Sequence, residues 1–97
     1  MRDLGPSLAP QNAFQLLQGL ETLPLRIKRQ FDNAAKVADF LAAHPKVARV
    51  IYPGLQTGLD RERAERYLTI GYGGLVGFEP AGGEKAALGF IDRLKLF

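Results

Sequence analysis

The chain has 97 residues, no cysteine and a net charge of +3, with 13 basic and 10 acidic residues mixed along its length. That length allows one domain at most, and a hydrophobic fraction of 46% is typical of a globular protein. A chain without cysteine has no disulfide and no thiolate metal ligand, which fits a reducing cytoplasm. Without a block of like charges no nucleic-acid partner is indicated. With no apolar run near the ~20 residues that a membrane span needs, no membrane partner is indicated either.

The first helix is predicted to begin at Pro10, because proline suits the first turn, where its missing N–H is not needed. Pro24 should end or kink this helix at Leu23, since proline removes a backbone donor and clashes one turn back. Gly19 lies within the helix, where a missing side chain would let another backbone approach closely. The apolar positions fall at helical spacing: Ala13, Leu16, Leu17, Leu20 and Leu23.

A second helix is predicted directly after Pro24, so that one long bent segment runs to about Ala43. Two charged pairs at i,i+4 spacing, Lys28–Asp32 and Asp32–Lys36, favour it. His44, the only histidine, stands where the helix stops and is interpreted as a capping residue rather than a catalytic one. The stripe predicted to face the core has spacings of four and three: Ile27, Phe31, Ala34, Ala38 and Leu41.

Residues 46–54, KVARVIYPG, predict a strand over about 47–52 and then a type II turn at Pro53-Gly54. Residues 60–68 are typical of a short polar helix, with Asp60 as the candidate N-cap and Glu62–Arg66 as an i,i+4 pair.

Residues 73–83 predict a second strand, over about 74–79, and residues 84–97 a third amphipathic helix that begins near Glu84. The element order is therefore α–α–β–α–β–α, an α+β arrangement. The apolar face of the last helix is predicted to carry Ala87, Phe90, Ile91, Leu94 and Phe97.

The residues by themselves indicate no self-sufficient active site and no metal site. The run GYGGLVG at 71–77 lacks the dinucleotide-binding spacing, because Val76 stands where glycine is required and the run precedes a strand. A single histidine forms no metal centre. A Schiff-base lysine must be desolvated, but the five lysines lie on polar helix faces or beside turns: Lys28, Lys36, Lys46, Lys85 and Lys95.

Four segments closely resemble the Cys/Met-metabolism family of pyridoxal-phosphate enzymes, the transsulfuration group. They are QGLETLPLR (18–26), NA..VA.FLA.HP.V..V.YPGL (33–55), GYGGLVGFEPAGG (71–83) and FIDRLKLF (90–97). The resemblance covers nearly the whole chain in one register. Glu21 favours the sulfhydrylase branch, which makes homocysteine from O-acetylhomoserine and sulfide, or the corresponding thioether from O-acetylhomoserine and a thiol. The cystathionine gamma-synthase and methionine gamma-lyase branches usually carry lysine there.

The resemblance implies a piece of an α/β, aspartate-aminotransferase-like fold type I enzyme, a cytoplasmic homotetramer with pyridoxal phosphate as cofactor. Residues 1–23 would correspond to the end of the large cofactor domain and the start of a linking helix. Residues 24–97 would form the first part of a small C-terminal domain. The family's Schiff-base lysine, the aspartate that partners the pyridine nitrogen and the arginine that binds the substrate carboxylate fall outside the chain. The chain alone is therefore expected to be inactive.

Two pairs of residues receive roles from the resemblance. Arg2 and Asp3 match a Lys-Asp pair that lies near the substrate end of the active site in lyase relatives. Arginine keeps the charge but changes the geometry, so a loop salt bridge remains an equal alternative. Gly19 and Pro24 would form a structural hinge between the two domains. The rival hypothesis for the whole chain is a stand-alone α+β interaction or regulatory module.

Overall fold

A computed structural model describes residues 7–96 of the protein. The elements follow the predicted order α–α–β–α–β–α, with one short 3₁₀ helix added after the first strand. Their bounds are α1 Pro10–Glu21, α2 Leu23–Ala43, β1 Val47–Ile51, the 3₁₀ helix Pro53–Leu55, α3 Gly58–Tyr67, β2 Gly77–Pro80 and α4 Gly83–Ile91. None of the helices within this part of the chain is long and apolar enough to cross a membrane.

The long helical segment is interrupted at a single residue, Thr22, which ends α1 and precedes α2. Its φ of −102° and ψ of 1° lie in the bridge region, outside the range of an α-helix. The break lies one residue before the predicted position at Leu23, and Pro24 then occupies the first turn of α2. Proline is tolerated there because the first N–H groups of a helix have no intrahelical partner. Pro10 occupies the first turn of α1 for the same reason.

The two strands form an antiparallel pair in which Val50 lies opposite Phe78 and Ile51 opposite Gly77. A bulge between Val47 and Arg49 interrupts the register at the start of β1. Both predicted strands are confirmed, although β2 begins later than expected.

The core lies between α2 and the sheet, and its buried side chains are small. Ala34 and Ala38 on α2 are buried against Tyr52, which directly follows β1. The predicted apolar stripe of α2 therefore faces the core as expected. Because alanine projects little from a helix, such a layer allows α2 to pack closely on the sheet. The half-buried residues packed around this cluster are Ala35, Val50, Tyr72 and Val76.

The predicted type II turn at Pro53-Gly54 is wrong. A type II turn needs a positive φ at its third residue, and Gly54 is not among the positive-φ glycines of the described chain. Glycine is required for another reason: a Cβ at this position would lie 2.9 Å from the ring of Tyr72 and 3.0 Å from that of Tyr52. The chain forms a 3₁₀ helix instead, closed by a hydrogen bond from the Leu55 N–H to the Tyr52 carbonyl.

Helix α3 begins two residues earlier than predicted, and its N-cap is Thr57 rather than Asp60. The charged pairs of α3 also differ from the prediction. Arg61 donates to Glu65 at 2.7 Å, whereas no Glu62–Arg66 pair forms among the described residues. Arg61 points toward the 3₁₀ helix. The ion pair that forms, Arg61–Glu65, begins one residue before the expected Glu62–Arg66 pair.

Helix α4 begins near Glu84 as predicted but ends at Ile91, well before residue 97. Its final hydrogen bonds tighten to i→i−3 spacing, from the Arg93 N–H to the Phe90 carbonyl and from the Leu94 N–H to the Ile91 carbonyl. This tightening ends the α-helix, so Leu94 does not share the helical face as predicted. Phe97 lies outside the described residues.

Candidate functional site

The break between α1 and α2 is bridged by one side chain, that of Arg26. Its Nη2 donates to the Gly19 carbonyl at 2.6 Å, and its Nε donates to the Thr22 Oγ1 at 3.2 Å. The Gly19 carbonyl is one of the last four of α1, which have no intrahelical partner. The guanidinium thus satisfies an orphan acceptor of one helix from the first turns of the next, with its charge at the negative end of α1.

A second cluster holds the 3₁₀ helix against α3. Arg61 donates from Nη1 to the Gly54 carbonyl at 2.7 Å, and its guanidinium carbon lies 5.7 Å from the centre of the Tyr72 ring. The side-chain hydrogen bond to Glu65 is the main cause that raises the pKa of Arg61. Arg61 therefore remains a cation that ties the turn, α3 and the aromatic pair together.

Tyr52 is the buried aromatic residue of that cluster. Its ring meets Tyr72 edge-on, with 6.3 Å between ring centres. Burial is the largest cause that raises the pKa of the Tyr52 hydroxyl, and Asp39 and Tyr72 raise it further. Tyr52 therefore stays protonated at neutral pH and acts as a packing residue.

An apolar groove of about 810 Å³ lies between α2, the sheet and α4. Phe78 and Phe90 meet edge-on along it, at 5.5 Å between ring centres. The groove shows that the apolar faces of α2 and α4 do not close over each other within the described chain. Its lining includes Val37, Phe40, Val47, Phe78, Pro80 and Phe90.

Of the four predicted site residues, the structure describes Gly19 and Pro24. Arg2 and Asp3 lie outside the described residues, so their predicted role stays a prediction. Gly19 is exposed, and a Cβ added there would meet nothing within 4 Å in the described chain. The close backbone approach expected at Gly19 is therefore not made by residues 7–96. Pro24 lies five residues further on, in the first turn of α2, which begins just after the break.

His44 is the C-cap residue of α2, as predicted, and its Nδ1 accepts a hydrogen bond from the Lys46 N–H at 3.1 Å.

The predicted ion pair Lys28–Asp32 forms on α2, at 3.1 Å, whereas the expected Asp32–Lys36 pair is absent from the described part of the chain. The Asp32 carboxylate turns toward Lys28, one turn before it on α2.

The glycines of 71–77 serve packing and turning. A Cβ on Gly71 would overlap the ring of Phe31, and Gly73 has a φ of +93° that L side chains rarely adopt. Gly77 begins β2. The loop therefore packs against α2, as the prediction of a loop-to-strand junction requires, and it opens no helix that could bind a phosphate.

The described residues do not fit pyridoxal phosphate by themselves. A Schiff-base lysine needs a desolvated environment, yet all five lysines are exposed. Over residues 7–96 no polar or charged side chain is buried. No group of three His, Cys, Asp or Glu side chains in this range could hold a metal ion. No catalytic step can be assigned to these residues alone.

Sequence reasoning missed the two structural arginines, Arg26 and Arg61. Each binds a carbonyl seven residues earlier in the chain, at Gly19 and Gly54. A separation of seven matches two turns of a continuous helix, but both contacts cross an interruption. Only the backbone geometry at Thr22 and in the 3₁₀ helix brings the partners together. The sequence carried one weak indication of these contacts: each arginine follows closely after a turn or a helix end that contains glycine.

The family model for Cys/Met metabolism PLP-dependent enzymes matches residues 1–97. The chain is 53% identical to an O-acetyl-L-homoserine sulfhydrylase of Leptospira meyeri, over 100% of this chain and 22% of the relative. It is 43% identical to a homocysteine synthase of Schizosaccharomyces pombe, over 99% of this chain and 22% of the relative. Cystathionine gamma-synthases and a methionine gamma-lyase are also similar.

A solved structure from Campylobacter jejuni, assigned as an O-acetylhomoserine (thiol)-lyase and containing N'-pyridoxyl-lysine-5'-monophosphate, has the same fold. The TM-score is 0.84 at 44% identity, over 99% of this chain and 24% of that one. The chain thus spans about a fifth to a quarter of the length of the relatives it matches. The family model matches the whole chain and the solved relative shares its fold. This chain therefore belongs to the Cys/Met-metabolism family of pyridoxal-phosphate-dependent enzymes.

Proposed function

We propose that these residues work as part of a longer O-acetylhomoserine sulfhydrylase. Such an enzyme makes homocysteine for methionine biosynthesis from O-acetylhomoserine and sulfide, and forms the corresponding thioether where a thiol replaces sulfide. The observation that carries the proposal is the 53% identity to such an enzyme along the entire chain. Glu21 in the segment GLETL supports the same branch. Pyridoxal phosphate would supply the electron sink for loss of acetate, bound by residues outside this chain.

The role of this chain in such an enzyme is structural. Residues 1–23 would complete the large cofactor domain and begin the linking helix, and residues 24–97 would form the first part of the small domain. The break at Thr22 supports this division, as does the difference in burial between α1 and α2. Gly19 and Pro24, on either side of the break, would then be the structural hinge.

The exposed apolar surface supports burial by further protein. Four residues of the described range are buried, Ala34, Ala38, Tyr52 and Ala64, whereas twenty large apolar side chains are exposed. A core of three alanines and one tyrosine is small for a chain of this length. We propose that the rest of the enzyme and its other subunits cover these surfaces in a cytoplasmic homotetramer.

A segment exchange tests the function. The 98 aligned residues of the Leptospira meyeri relative are replaced by this chain, and homocysteine formation from O-acetylhomoserine and sulfide is measured. The exchanged enzyme should bind pyridoxal phosphate and turn over these substrates. A matched control receives the corresponding segment of a methionine gamma-lyase relative and should be less active. An exchanged enzyme that binds the cofactor but prefers cystathionine synthesis or methionine cleavage would contradict the branch assignment.

The isolated chain provides the complementary test. It should not convert O-acetylhomoserine and sulfide, because its lysines are solvated and residues 7–96 form no cofactor site. After mixing with pyridoxal phosphate and reduction with borohydride, mass spectrometry should find adducts spread over several lysines. One stoichiometric lysine adduct, or turnover by the purified chain, would overturn the structural role.

Arg2 and Asp3 are proposed to lie near the substrate in the longer enzyme. The support is their match to the Lys-Asp pair of the lyase relatives. In the exchanged enzyme, Arg2→Ala should raise the KM for O-acetylhomoserine with the cofactor content unchanged. An unaltered KM would favour the loop salt bridge.

A further inference from the structure

Packing does not hold the direction of α1 within the described chain. The helix has no buried residue, and the region around Gly19 is open. The described protein is accordingly elongated, with extents of 52 × 36 × 30 Å and a radius of gyration of 18.4 Å. A compact chain of this length has a radius of gyration of about 12–13 Å. Something other than side-chain packing must therefore set the angle at which α1 leaves α2.

Hydrogen bonding at the junction supplies that constraint. The guanidinium of Arg26 on α2 donates to two acceptors, the Gly19 carbonyl in the last turn of α1 and the Thr22 hydroxyl at the break. A guanidinium is planar, so two donors engaged at once fix its orientation as well as its position. The first backbone bond of α2, from the Arg26 N–H to the Thr22 carbonyl at 3.2 Å, anchors the same residue.

We propose that Arg26 is a positioning residue, a clamp that fixes the direction of α1 relative to α2. The helical backbone is interrupted at Thr22, where ψ lies outside the helical range, and the clamp restricts rotation about that residue. The apolar side chains of α1 are thereby presented to whatever covers them in one orientation. The inference stands on the geometry of the junction and does not depend on the proposed function.

The chain has no cysteine, so a distance measurement across the junction is direct. Asn12→Cys on α1 and Lys36→Cys on α2 lie at exposed positions. Spin labels attached there allow the distance between them to be measured by pulsed electron–electron double resonance. At a rise of 1.5 Å per residue the two positions are about 36 Å apart if the helices were collinear, within the range of the method. Dilution with unlabelled chain suppresses distances between molecules.

The unsubstituted junction should give one narrow distance distribution. Arg26→Gln removes both charge-assisted bonds and should broaden it by about twofold or more. Arg26→Lys keeps the charge but cannot reproduce the planar fork, so its width should be intermediate. Arg29→Gln is the matched control, an exposed arginine three residues later with no side-chain hydrogen bond or ion pair in residues 7–96. It should leave the distribution unchanged.

Circular dichroism of each variant separates loss of the clamp from loss of helix. If Arg26→Gln lowers the helix content, Thr22→Val carries the test, because it removes one acceptor and should broaden the distribution, whereas Thr22→Ser should not. Superimposable distributions for the parent and Arg26→Gln with unchanged helix content would overturn the proposal. So would equal broadening by Arg29→Gln, which would indicate a general charge effect.

Discussion

Helices α1 and α2 carry apolar patterns of similar regularity but meet different fates. Helix α2 buries Ala34 and Ala38 against the sheet, whereas α1 buries none of its residues within the described chain. The buried positions of α2 are small, and the exposed ones of α1 are large: Phe14, Leu16, Leu17 and Leu20. An apolar stripe therefore predicts that a helix needs a partner, but not that the partner belongs to the same 90 residues.

The difference has an energetic consequence. Each large apolar side chain left in water forgoes about 1.5–3 kcal/mol of burial free energy, and a whole small domain is stable by only about 5–15 kcal/mol. The α2 region should therefore determine the stability of the isolated chain, and α1 should determine what the chain associates with. The substitutions below test each half of that division.

The largest effect is expected in the alanine layer of α2. Ala38 is fully buried, so Ala38→Leu forces additional methyl groups between α2 and Tyr52 and should lower the free energy of unfolding by about 1–3 kcal/mol. Ala42→Leu, at an exposed position on the same helix, is the matched control. Chemical denaturation of both variants checks the prediction. Equal stability of the two variants would show that α2 is not held closely to the sheet.

High pH should weaken the same layer through Tyr52. The pKa of Tyr52 is raised in the folded chain above its ordinary value of 10.0, chiefly by burial. The unfolded chain then loses its phenolic proton first as the pH rises. The contribution of Tyr52 to stability should be constant below about pH 10 and fall between there and the raised folded pKa, because the unfolded state binds fewer protons in that window.

Unfolding free energies measured from pH 8 to 11 check this slope. Tyr52→Phe should remove most of it, and Tyr67→Phe, at an exposed tyrosine, should not. A slope that persists in Tyr52→Phe would assign the pH dependence to other groups.

The elements themselves could be predicted from the sequence because their signals are local. Pro10, the apolar stripe of α2 and the valine-rich β1 each act within a few residues. The type II turn at Gly54 could not be predicted correctly, because glycine there avoids the rings of Tyr52 and Tyr72, and Tyr72 lies eighteen residues further along the chain. The Arg26 contacts likewise depend on the exact backbone at Thr22. Where the local sequence fits two roles of a glycine or an arginine equally well, contacts with residues far along the chain determine which role it has.

Two glycines extend the comparison to smaller effects. Gly19→Ala places a methyl group in open space within a helix and should stabilise the isolated chain by about 0.5–1 kcal/mol, through the better helix propensity of alanine. Gly71→Ala should destabilise it instead, because its Cβ would overlap the ring of Phe31. Thermal denaturation of both variants checks the two signs. A loss of stability in Gly19→Ala would indicate that another part of the same chain packs on α1.

The smallest effect on stability is expected on α1 itself, at Leu17. This side chain is 64% exposed, and glutamine has nearly the helix propensity of leucine. Leu17→Gln should therefore change the free energy of unfolding by no more than about 0.5 kcal/mol, as surface substitutions usually do.

The effect of Leu17→Gln on association of the chain should be large by comparison. The exposed apolar face of α1 and the open edges of the two-stranded sheet both favour contact between copies of the chain. Sedimentation velocity should find the parent chain self-associated at micromolar concentration and Leu17→Gln shifted toward monomer. Lys36→Gln, at an exposed polar position of α2, should leave the association unchanged. A parent chain that sediments as a single monomer and melts sharply at high temperature would instead favour the stand-alone module, since α1 would then need no partner.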